Sequence, residues 1–470
     1  MKRGKKLFTL LLVLALILGA TYAATLLNPE NQDDTEIAYT TVFTINTDTV
    51  TNISWDYSEP LSFTKENDGW VYDADPTFPL DDDFIDTMLT NIEEIQSTKT
   101  IEQVEDWDQY ALEVPICQVT VTADGTAHTI KLGEETSLGG ERYLSIGDGN
   151  AYLVDADIMD AFHYGLYDVL KMESIPEMSD VYAMEHISDD STYTIKRMEN
   201  SGLAYTDDYV WFIDEKPLDT ELTERLMSYV TAMVWKECVN YHADDLSKYG
   251  LDFPAATIVM HDMETVKVAT NETDADGNIV YETQENEETY TLEIGASTDD
   301  GYYARIQGSN MIYTISTSAA ETLLYTTYEE LLPDEVLLMD WDTVNTIDIA
   351  LDGETYEIQK GTTKITDDEG NESEEVVYKL NGMDVDTTSI TDAIDGLESS
   401  GYATGLTPER NEEIRFVIKR DHDTFPEVEL AIYQYNSTSC IITLNGETTV
   451  FVDRQSVVSL IEEVNALVLK

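Results

Sequence analysis

The side chains of this 470-residue chain that could hold a metal or move a proton are six histidines, three cysteines and 94 carboxylates. The histidines are His128, His163, His186, His242, His261 and His422. None has a partner at His-x-x-x-His or His-Glu-x-x-His spacing, so a zinc hydrolase lacks its ligand helix. Cys117, Cys238 and Cys440 are odd in number and far apart, which supports neither a disulfide framework nor a thiolate zinc site. Cys117 closes the apolar run Val114-Pro115-Ile116, and Cys440 precedes Ile441-Ile442. Both read as small buried hydrophobes. The chain has no Gly-x-Ser-x-Gly elbow, no phosphate-cradling glycine loop and no dinucleotide fingerprint. Carboxylate pairs are too numerous for any two to be singled out as a glycosidase acid and nucleophile. The reading is of a non-enzymatic chain, with no catalytic, cofactor or metal residue assigned and the binding residues left open.

Two acidic loops invite a calcium reading, Asn271 to Asn278 and Thr366 to Asn371. Placing Gly277 at the EF-hand glycine puts Thr283 where the bidentate Glu belongs, and Gly370 puts Ile365 at the first ligand position. Both fail. Asp276-Gly277-Asn278 and Glu369-Gly370-Asn371 instead suit tight hairpins whose central residues need positive φ. The most distinctive local stretch is Tyr249-Gly250-Leu251-Asp252-Phe253-Pro254. Gly250 permits a turn there and Pro254 pushes Phe253 toward an extended conformation; an aromatic contact patch of Tyr249 and Phe253 is the functional alternative. Trp55, Trp70, Trp107, Trp211, Trp235 and Trp341 fall in strand-like or helix-flanking contexts, where core packing is expected ahead of a sugar platform.

The elements that would carry these residues repeat. Pro79-Leu80-Asp81 begins a helical pattern with Phe84, Ile85, Met88, Leu89 and Ile92, and Pro217-Leu218-Asp219 begins another with Leu222, Leu226 and Val230. In each, the Asp is expected at the N-cap. Downstream, Tyr110-Ala111-Leu112-Glu113-Val114-Pro115 matches the stretch at 249–254, and Leu132-Gly133 matches Ile294-Gly295. A worn third copy, with no such Tyr element, is read from Asp342-Thr343-Val344 onward. The expected fold class is α+β, tandem strand-helix-strand-helix modules after one N-terminal transmembrane helix. The divisions are a basic tip at 1–6, a transmembrane segment at 7–27, a linker at 28–41 and modules at 42–178, 179–340 and 341–470.

The uncharged run Leu7 to Leu27 follows Lys2, Arg3, Lys5 and Lys6 and has membrane-spanning length. It predicts a retained anchor with the N-terminus in the cytoplasm and the bulk outside. Small residues at Ala20 to Ala24 keep a cleaved signal peptide, and hence secretion, as the alternative. The formal net charge is −68. A nucleic-acid partner is thereby excluded, since a phosphate backbone demands a basic surface; weak, diffuse binding of divalent cations is allowed. Apolar residues make up 42% of the chain, enough to bury real cores.

The N-terminal segment, the Trp-containing stretches at 70–72 and 211–213, the Pro-Leu-Asp starts, the paired Tyr elements, Ile294-Gly295 and Gly301-Tyr302-Tyr303 together resemble the domain of unknown function 4340 family of bacterial envelope proteins. The resemblance extends over roughly residues 45–340. Its implication is an accessory role beside the permease and ATPase of a gliding-type ABC transport system, with no site residues to carry over. The expectation is therefore a non-enzymatic, membrane-anchored extracytoplasmic accessory protein. A wall- or ligand-binding module is the alternative, and an unrecognised hydrolase would need distant residues to meet.

Overall fold

The computed structural model describes residues 39–469 apart from 68, 274–278, 367–371, 404 and 410. They fall into two compact units, Met1–Glu173 and Ser174–Lys470. Strands account for 47% of the chain and form four antiparallel sheets. The α+β, strand-helix-strand-helix expectation is thereby corrected to a predominantly β architecture. The helices do start where the Pro-Leu-Asp stretches put them, but they are short: α1 spans Asp82–Thr90 and α2 spans Thr220–Thr231. Strands were undercounted because many alternate apolar residues with Thr and Glu. A strand with one face in water has half its side chains polar and imitates a loop.

The transmembrane helix expected ahead of the modules is not among the described elements. No helix among the described residues is long and apolar enough to cross a membrane. The segment at 7–27, the basic tip at 1–6 and most of the linker at 28–41 lie outside the described residues.

Three sheets share one topology. The nine strands of the second sheet run in chain order from Val181–Ile187 to Ile312–Ser316, and their order across the sheet is 4-3-2-1-6-7-8-9-5. The third sheet, from Val344–Leu351 to Glu447–Asp453, has the same order. The first, from Val50–Asp56 to Ala151–Asp155, differs only in lacking the fourth strand. There, Leu80 makes a lone bridge to Leu170. An additional two-stranded sheet joins Thr40–Thr44 to Glu94–Ser97.

Each of the two nine-stranded sheets is itself two similar halves: four strands and a helix, then, after the fifth strand, four strands and a helix. The halves meet at the first and sixth strands. In all three sheets that pairing has an irregularity just past its first residue, after Val50, Val181 and Val344. The third sheet shows the duplication in its sequence. Leu380-Asn381-Gly382 and Leu444-Asn445-Gly446 each close a two-residue hairpin, with φ of 52° and 51° at Asn and 83° at both Gly. Positive φ at both turn residues matches the strand twist, and Asn-Gly is the pair that adopts it at low cost.

Helices cover the core. In the third sheet α4 (Thr388–Asp395) and α5 (Arg454–Val468), which follow α3 (Thr317–Tyr325), bury Ile390, Ile394, Val457, Leu460 and Val464 against Ile347, Phe416 and Ile432. Each such side chain contributes about 1.5–3 kcal/mol by leaving water. In the first sheet Trp55 stacks on Phe63 at 5.1 Å, both nearly fully buried. Within Ser174–Lys470, Arg420 donates to the Tyr205 carbonyl at 2.6 Å and Thr206 donates to Asp340 at 2.9 Å, which ties the second and third sheets together.

Candidate functional site

The two Tyr elements build the same corner. Asp106 and Asp245 each accept from the backbone N–H two residues on, at 3.2 and 3.1 Å, and so start a single 3-10 turn. The turn ends in left-handed backbone at Ala111 (φ 52°) and Gly250 (φ 66°). Leu112 N–H then returns to Trp107 O at 3.1 Å, and Leu251 N–H to Leu246 O at 3.1 Å. Both leucines are buried. The corner lies directly on a strand glycine: a Cβ on Gly133 would stand 2.1 Å from the Tyr110 carbonyl oxygen, and one on Gly295 2.3 Å from that of Tyr249. Only glycine admits so close an approach. Tyr110 packs on Tyr143 at 4.7 Å and Tyr249 on Tyr303 at 5.1 Å.

On this common frame the side chains differ. In the second sheet Glu293 faces Arg305 across the strands. Arg305 Nε donates to Glu293 at 2.6 Å, and the side chains are 12% and 8% exposed. Gln307 donates to the same carboxylate at 3.2 Å, and Arg305 Nη1 to Ser309 O at 3.0 Å. Leu246 packs against Ala243, Leu251 and Ile312. The polar side chains of this corner are satisfied by one another. In the first sheet the corresponding cross-strand pair is Lys131 and Ser145, Trp107 replaces Leu246, and Gly147 replaces Gln307.

A cavity of about 410 Å³ remains there, lined by Trp107, Glu113, Thr129, Lys131, Ser145 and Gly147 among others. Lys131 Nζ donates to Leu112 O at 3.3 Å and has no carboxylate at ion-pair distance among the described residues. In the third sheet the same pair is Ala431 and Thr443, both buried.

One wall of the cavity is held in place. Val104 N–H donates to Gly149 O at 3.2 Å and Gln103 N–H to Asn150 Oδ1 at 3.3 Å. Asp148 accepts from Tyr152 and from the Asn150 N–H at 3.1 Å. Burial alone would raise the Asp148 pKa, but these hydrogen bonds outweigh it and hold the carboxyl below its ordinary range. Tyr152 is raised in turn, by burial and by its bond to Asp148.

A second feature belongs to the second and third sheets. Ala256–Thr273 and Ile279–Ser297 pair with each other as far as Thr273 and Ile279. Their outer neighbours stop at Asp262 and Leu292. Beyond those points the two strands form a free ribbon. It exposes Val268, Ile279 and Tyr281 among Glu264, Glu272, Glu282, Glu285, Glu287 and Glu288, with Lys267 as the cation. Glu354–Thr366 and Glu372–Leu380 make a shorter ribbon, which exposes Val376. The strands flanking both acidic loops are thus paired, while the expected hairpin tips at 274–278 and 367–371 lie outside the described residues.

The other residues singled out from sequence stay apart. All three cysteines are free and buried. Burial pushes the Cys117 thiol up to about 12 and Cys440 to about 11, so neither is a ready thiolate. Among the described residues no three His, Cys, Asp or Glu side chains gather as a metal site. His261 meets Glu185 at 3.0 Å, and His186 is buried against Tyr193. Tyr249 is half-buried, its hydroxyl accepting from Asn240 at 3.0 Å, whereas Phe253 is 85% exposed. Trp55, Trp70, Trp211 and Trp235 are core residues. Trp341 donates to Asp395 at 2.7 Å. Trp107 is the tryptophan that lines the cavity, and its signal in the sequence was Trp standing where the second copy has Leu246.

Fold and site define a class: a mostly β protein of three like sheets, the first of which has an open corner of ligand size. The chain belongs to the family described as Domain of unknown function (DUF4340), whose profile matches residues 70–209 and 211–416. The matched range contains both corners and both ribbons. Comparison with curated proteins gives no match.

Proposed function

We propose that this protein is an extracytoplasmic accessory subunit of an envelope ABC transport system, acting by docking a partner rather than by catalysis. The observation that carries the reading is the ribbon of the second sheet, which outruns its neighbours by about ten residues on each strand. Free strand edges and exposed apolar side chains are what an extended partner segment pairs with. The excess of glutamates over Lys267 favours a partner surface rich in Lys and Arg, which the field would also steer inward.

The test is affinity purification of the tagged full chain from solubilised membranes. An ABC permease should co-purify with it. Replacing residues 264–286 by Asn-Gly, which rejoins the paired positions Met263 and Glu287, should abolish that recovery and leave the melting transition in place. A wild-type preparation that brings down no permease, under conditions that keep known complexes intact, overturns the reading.

A further inference from the structure

We infer that the open corner of the first sheet is a binding site for an uncharged saccharide of one or two pyranose rings. The internal repeat supplies the control. At the same place on the same backbone frame, the second sheet packs Leu246 and a buried Arg305–Glu293 pair, and the first sheet has Trp107, Lys131 and Ser145 around a space of about 410 Å³. That volume is within the range of small-molecule sites. Of the two copies that share the Tyr element, the second closes this corner with its own side chains, whereas the first leaves it open and carries the indole.

The lining selects the ligand class. A half-buried indole offers an apolar surface with a polar edge, the pairing that suits the apolar face of a sugar ring. Around it stand the hydroxyls of Ser145 and Thr129, the Lys131 ammonium and the Glu113 carboxylate. This mixed set of donors and acceptors matches ring hydroxyls, which both give and take hydrogen bonds. Lys131 and Glu113 offset each other in charge, and the chain's net charge of −68 opposes the approach of an anion. A phosphorylated or carboxylated ligand is therefore disfavoured, and a neutral sugar is not.

Binding is tested by calorimetric titration of the full chain with cellobiose, N,N′-diacetylchitobiose and, as an anionic comparison, glucuronate. At least one uncharged disaccharide should bind, and glucuronate should bind more weakly. Trp107→Leu, which installs the residue of the second copy, should weaken binding about tenfold or more, equivalent to about 1.4 kcal/mol; Trp107→Phe should retain most of it. The double change Lys131→Glu with Ser145→Arg, which installs the ion pair of the closed corner, should abolish binding with an unchanged melting transition. Removal of residues 264–286 should leave saccharide binding intact, so this inference and the docking role fail separately. No heat with either disaccharide, undiminished binding by the closed-corner variant, or preference for glucuronate would each overturn it.

Discussion

The corner at 106–115 and its counterpart at 245–254 share a turn-starting Asp, a left-handed residue, a buried leucine and a glycine beneath the Tyr carbonyl. Yet one borders an open cavity and the other holds a buried ion pair. The backbone frame is a packing solution used twice. What occupies it is decided by four positions: 107, 131, 145 and 147 in the first copy, and 246, 293, 305 and 307 in the second. Duplication thus separates the residues that make the fold from those that distinguish one copy from the other, without any comparison between different proteins.

Breaking the closed corner should give the largest effect. Arg305→Ala strands the Glu293 carboxylate in a site where it is 8% exposed, and should cost about 3–5 kcal/mol in urea-induced unfolding. Lys131→Ala, its contrast in the open corner, should cost no more than about 0.5 kcal/mol, since no buried carboxylate loses a partner. Next come the shared glycines. Gly133→Ala and Gly295→Ala each drive a methyl group into a backbone oxygen and should cost about 2–3 kcal/mol apiece. A similar loss from both would confirm that the frame is common, and a large inequality would break the comparison.

Smaller effects probe the helix starts. Asp219 accepts from Leu222 N–H at 2.6 Å, whereas Asp81, though at the N-cap position, accepts no capping bond. Asp219→Ala should cost about 1 kcal/mol and Asp81→Ala nearly nothing, as read from thermal melts. The first helix is fastened differently: Asp82 accepts from Trp70 N–H at 2.6 Å and Asp86 from Trp70 Nε1 at 2.9 Å.

A pH-dependent effect extends the comparison to the third copy. Burial raises Asp395 from 3.8 to about 6, opposed by the hydrogen bond from Trp341. A carboxyl whose folded pKa exceeds its unfolded value stabilises when protonated, so its contribution is complete below pH 3.8 and is lost as pH rises to about 6. Asp395→Asn should flatten that part of the stability profile and raise stability at neutral pH, as followed by denaturation at stepped pH.

Much of the local structure was legible from residues alone. Pro-Leu-Asp precedes both early helices, and at the second the Asp219 carboxylate caps the first turn. Gly250 marks a left-handed corner because few other residues tolerate that backbone, although Ala111 adopts it in the first copy. The burial of Cys117 and Cys440 followed from their apolar neighbours. The third copy was harder to read. It lacks the Tyr element, yet its sheet has the same strand order as the second, because order depends on which strands pair and not on any one corner. The strands flanking both acidic loops were legible as hairpins, but their extension beyond the neighbouring strands was not, because it depends on where those neighbours stop.

By itself the sequence determined that this chain is acidic, internally repeated, punctuated by two like corners and short of recognisable catalytic spacing. Each of these is a property of composition or of residues a few positions apart. Only the tertiary structure decided that Lys131 faces Ser145 while Glu293 faces Arg305, and that Trp107 borders an open space where Leu246 closes one. Those outcomes depend on register between strands: a shift of one residue turns every side chain to the opposite face. Register is set by the packing of the whole sheet, beyond the reach of any short stretch of chain.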